Sequence, residues 1–159
     1  MWACAVSSAV AFVSWARRFP FVTLSTALLL ARVGTASFFG AHAVVRIVNG
    51  SIPRFAGFMD SVGFPNGTIA VWAITLVELA AALMLSLGIA TRSATAALLS
   101  IAVGGIVLIH RHAGWFVGEH GTGGMEYSFA LILLLIVAAA APNRNQVDDR
   151  RARALDQKG

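Results

Sequence analysis

Two ionisable side chains in this sequence stand where water is absent. Glu78 lies near the middle of the apolar run 68–88. At about 1.5 Å rise per residue, that run spans a bilayer core of roughly 30 Å. Arg32 lies close to the centre of a second run, 22–48, and Arg32, Thr35, Phe39, His42 and Arg46 recur at steps of three and four, on one helix face. A charge at membrane depth is costly and calls for a partner or a task. Arg32 and Glu78 are expected to pair, which lets both exist in low dielectric. Such a pair can hold a polar headgroup, a quinone carbonyl or a proton; it can equally be an ion pair that only fixes helix packing. Both readings stay open.

A second group of polar residues clusters by topology. His42, Arg46, His110, Arg111, His112, Glu119, His120 and Glu126 all fall at or beyond one end of their spans. They are expected to form a polar vestibule above the buried pair. His110 and His112 diverge on a helix, and a metal would need His42 or His120 plus a carboxylate. No metal site and no catalytic residue is assigned. Glu126 also suits a helix start, where the dipole favours a carboxylate.

These residues need membrane helices to position them. The chain has 159 residues, 58% hydrophobic and 12% charged, with a mean hydropathy of +0.78. Soluble domains carry about 25% charged residues. The pattern predicts an all-α integral membrane four-helix bundle with short interfacial segments, its spans at about 22–48, 68–88, 93–112 and 125–141 within a domain of residues 21–142. Residues 1–20 read as an interfacial or disordered segment, with a fifth short span or a mis-assigned start as alternatives. Residues 49–66 read as an interfacial loop with buried phenylalanines, and 143–159 as a polar cytoplasmic tail. Ala96, Ser100 and Gly104 make a small-residue ridge that suits close helix packing. Trp72 and Trp115 suit an aromatic belt.

Composition also excludes functions. Cys4 is the only cysteine, which rules out a dithiol redox pair or a thiolate metal cage within one chain. The glycines of 121–124 are followed by no lysine and preceded by no strand, so they are not a nucleotide loop. The net charge of +5 reports orientation and not nucleic-acid binding. With both termini inside, Arg17, Arg18, Arg92, Arg144, Arg150, Arg151, Arg153 and Lys158 are cytoplasmic, against Arg46, Arg54 and Arg111 outside. That distribution predicts a multi-pass protein of the plasma membrane with both termini cytoplasmic.

The order of these features carries a resemblance. An arginine-bearing first span is followed by GFP, a glutamate in span two, LGIATR, an aromatic-glycine loop and GGMEY. This resembles the DoxX family of small four-helix membrane proteins, over roughly residues 26–140. By position, Arg32, Gly40, Phe64, Pro65, Glu78, Gly88, Arg92, Gly124 and Glu126 match the family pattern. Two positions depart from it. Where members often carry a lysine after the glycine, His42 and Arg46 are nearest; where many end in a Gly-rich turn and a Ser-Leu-Asp motif, this chain has APNRNQ.

The resemblance implies a quinone-linked or thiol-linked redox setting, because the family takes its name from a subunit of a thiosulfate:quinone oxidoreductase. On that reading the chain is at most a non-autonomous subunit that binds quinone or docks a membrane or peripheral oxidoreductase. The alternatives are a small transporter or lipid-binding protein, and a scaffold without a ligand. The bilayer is an expected partner, a homo-oligomer is open, and no nucleic acid is expected.

Overall fold

The computed structural model describes residues 21–117, 123–141 and 156. Within them lie five α-helices, three of them long and apolar enough to cross a membrane. The chain is a multi-pass membrane protein in contact with lipid. The expectations for residues 1–20, for Glu119 and His120, and for the tail from 143 on lie outside the described residues, Asp156 alone excepted.

Helix α1 (Leu24–Val48) starts at Thr23, whose hydroxyl accepts from the Thr26 N–H. Helix α2 (Ile52–Ser61) follows, then α3 (Gly67–Leu87), α4 (Thr91–Leu108), a 3-10 turn (His110–His112) and α5 (Glu126–Ala140). Helix α1 packs on α3 and α5, and α4 closes the ring between them. The apolar run 125–141 thus becomes a helix of 15 residues, about 22 Å long by rise. It completes the bundle but is shorter than the other three.

The segment 49–66 is a correction to the sequence reading: most of it is helical. Pro53 sits in the first turn of α2, where its missing N–H costs nothing and its fixed φ suits a helix. Ile52, Ala56 and Met59 recur at helical spacing and are buried with Val71 of α3, while Phe55 and Phe58 are half-buried beside them. Arg54 is exposed. Asp60 accepts the Gly67 N–H and Asn66 accepts the Ile69 N–H, so two side chains cap the start of α3.

The main core is built largely from small residues. Ala36 and Phe39 of α1 meet Ala81, Ala82 and Leu85 of α3, Ala94, Leu98 and Ala102 of α4, and Leu131, Leu135 and Ala138 of α5. A Cβ at Gly40 would lie 3.6 Å from that of Ala82, so α1 and α3 run at close approach. The ridge Ala96–Ser100–Gly104 does not serve this packing. Ala96 and Ser100 are exposed and nothing lies within 4 Å of a Cβ at Gly104. The packed face of α4 is the neighbouring one, through Ala94, Leu98 and Ala102.

Candidate functional site

The site forms where α1 and α3 cross near the middle of α3. Glu78 Oε2 accepts a hydrogen bond from Arg46 Nη1 at 3.0 Å, forming a salt bridge. The same Nη1 donates to Thr75 Oγ1 at 2.8 Å, and Thr75 in turn donates to the Val71 carbonyl at 2.7 Å. Glu78 is 1% exposed, Thr75 0% and Arg46 8%. Two opposite charges therefore sit together out of solvent, with Thr75 as a third member one helical turn from Glu78. Mutual attraction and hydrogen bonding offset a desolvation cost that neither charge could bear alone.

The register of the two helices selects this partner. They run antiparallel: Arg46 faces Thr75 and Glu78, Gly40 faces Ala82, and the guanidinium of Arg32 lies over Gly88. Gly88 is about 15 Å from Glu78 by helical rise. The expected pairing of Arg32 with Glu78 is thus corrected: the carboxylate pairs with Arg46. Arg32 sits at the C-terminal end of α3, where the helix dipole favours a cation, and its Nε is buried without a hydrogen-bond partner.

Both hydrogen bonds of Arg46 leave from Nη1. Its Nη2 and Nε meet no acceptor among the described residues. The Phe55 ring, half-buried on α2, lies 5.3 Å from the guanidinium carbon, a cation–π contact. Phe55 itself stacks on Phe58 at 6.2 Å. Arg46 is also held through its backbone, whose carbonyl accepts from Ser51 Oγ at 3.1 Å. A carboxylate and a hydroxyl of α3 and an aromatic of α2 thus converge on the guanidinium of one α1 side chain.

The remaining polar residues divide. His42 is exposed on α1, within electrostatic reach of Arg46 and His110. His110 is half-buried and His112 exposed; His112 Nε2 accepts from Arg111 Nε at 3.0 Å. Among the described residues no three metal-ligating side chains converge. Glu126 has a local bond: its Oε1 accepts the Val117 N–H at 2.9 Å. The Trp115 carbonyl accepts the Glu126 N–H at 3.0 Å, and that of Gly114 accepts the Met125 N–H at 3.1 Å. A Cβ at Gly124 would come within 2.5 Å of the Trp115 and Phe116 backbone. Gly124 and Glu126 therefore clamp the segment before α5 onto its start. Replacing Glu126 by Ala is expected to cost about 1 kcal/mol and to speed proteolysis after Val117, with Gln recovering part; thermal unfolding and limited proteolysis check both.

Sequence reasoning missed Thr75 and Phe55. Thr75 precedes Glu78 by three, a spacing that places both on one face, and this was the available signal. Phe55 could be found only once α2 was recognised as a helix.

Two of the three comparisons with known proteins find nothing. No curated protein and no solved structure matches the chain significantly. The family model described as DoxX matches residues 27–111, more than half of the 159. The match takes in α1 from its fourth residue and all of α2 to α4, and with them every member of the buried cluster.

Proposed function

The chain belongs to the DoxX family, and on that premise we propose that it is a redox-associated membrane subunit whose Arg46–Glu78 centre binds a quinone or seats a partner oxidoreductase. The observation that carries this reading is the division of labour on Arg46. One nitrogen is committed to Glu78 and Thr75, while Nη2 and Nε meet no acceptor among the described residues and a phenyl ring lies over the guanidinium. A quinone offers a carbonyl oxygen to such donors and a flat ring to Phe55. Glu78 neutralises the arginine, so an uncharged ligand head meets no isolated charge. The chain's part is to bind and orient; the redox centre belongs to the partner.

One observation favours a second reading, a scaffold without a ligand. Arg46, Thr75 and Glu78 bond to one another, and such a cluster can fix the register of α1 against α3 by itself. Solvent extraction of gently purified protein separates the two. About one quinone per chain in the parent, falling at least tenfold in a folded Arg46→Gln variant, is expected if the centre binds quinone. Bulk lipid alone in both would leave the scaffold.

A further inference from the structure

The opposite end of the α1–α3 seam holds a cation with no counter-charge among the described residues. Arg32 lies on the bundle-facing stripe of α1, one turn before the buried Ala36. Its guanidinium packs flat on the turn after α3: a Cβ at Gly88 would lie 3.3, 3.4 and 3.5 Å from Nη1, Nη2 and Cζ. Gly88 has φ +74, a conformation that glycine adopts at little cost, and its missing side chain leaves room for the guanidinium. Nε is buried without a partner, and among the described residues nothing accepts a hydrogen bond from Arg32.

The described carboxylates of the bundle cannot serve. Glu78 is held by Arg46, Asp60 by the Gly67 N–H and Glu126 by the Val117 N–H, all of them away from Gly88. Arg92 stands exposed at the start of α4, just past the same turn. This end therefore presents two guanidinium groups and, among the described helices, no acid. A planar guanidinium is matched by a phosphate, which accepts two parallel N–H bonds. The distribution of basic residues expects this end on the cytoplasmic side, where anionic lipids concentrate.

We propose that Arg32, with Arg92 at its rim, binds a phosphate group at the Gly88 turn, supplied by the headgroup of an anionic phospholipid. This site is separate from the Arg46–Glu78 centre and does not rest on its function. The bound phosphate accepts from the Nη groups of Arg32 and ties the α3–α4 turn to the headgroup layer.

The test uses the full chain in a neutral detergent. Phosphatidylglycerol is titrated against phosphatidylcholine, with inorganic phosphate as a third arm, and both melting temperature and lipid retention by native mass spectrometry are read. Phosphatidylglycerol is expected to raise the melting temperature by roughly 4 °C or more and to be retained at least tenfold over phosphatidylcholine. Arg32→Gln is expected to abolish both effects, and Arg92→Gln to weaken them. If inorganic phosphate alone reproduces the shift, the anion site stands and its ligand is free phosphate. Equal retention of the two lipids by the parent protein, without a phosphate effect, overturns the proposal. So does an undiminished response in a folded Arg32→Gln variant.

Discussion

Replacing Arg46 by Met, with Glu78 left in place, is expected to destabilise the bundle by about 3–5 kcal/mol. The substitution keeps most of the stem's packing and removes only the guanidinium. Glu78, 1% exposed, is then a buried carboxylate without its cation, and Thr75 loses a donor. The cost is the stranded carboxylate, not the net worth of the bond. A double variant, Arg46→Met with Glu78→Leu, should therefore recover most of the loss, because two apolar side chains need no pairing. Arg32→Met should cost no more than about 1 kcal/mol, since its favourable contact is with a helix C-terminus. Denaturant unfolding in detergent micelles ranks the variants.

Gly67→Ala is expected to be the most damaging change of a single methyl group, at about 3 kcal/mol or more. A Cβ there would overlap the Ala56 carbonyl and lie 2.8 Å from the Asp60 carboxylate. Neither neighbour is a flexible side-chain end free to move. The first is backbone inside α2, and the second is the capping group that accepts the Gly67 N–H. The methyl group therefore pushes α2 off α3 and disrupts the cap together. Gly57→Ala is the control within α2. Nothing lies within 4 Å of its Cβ position, and the gain in helix propensity should stabilise by up to about 1 kcal/mol. Circular dichroism melts of both variants test the contrast, and loss of α2 docking should expose Met59 to oxidation in Gly67→Ala alone.

What the sequence made legible follows from range. The apolar runs of the spans and the mid-helix position of Glu78 are local properties, readable from composition and length. Choosing the partner of Glu78 needs the register of α1 against α3, which no local pattern contains. Arg32 and Arg46 are about four turns apart on one face, so helical periodicity treats them as equivalent. Central position in its own span favoured Arg32, but the two spans are not centred on each other. The α4 ridge failed for a related reason. Ala96–Ser100–Gly104 and Ala94–Leu98–Ala102 are both periodic and both rich in small residues, and only tertiary packing decides which is buried. Helix α2 was hidden by Pro53, whose helix-breaking meaning reverses in a first turn.

Arg46, and not Arg32, is the partner of Glu78. A pair of double-mutant cycles tests this pairing most directly, using Arg46→Met and Arg32→Met, each alone and combined with Glu78→Leu, with unfolding free energies read in the same micelles. The structure leads to a coupling of about 2 kcal/mol or more between positions 46 and 78, and to additivity within about 0.5 kcal/mol between 32 and 78. Coupling of that size between 32 and 78, with additive effects at 46 and 78, would instead make Arg32 the partner of Glu78.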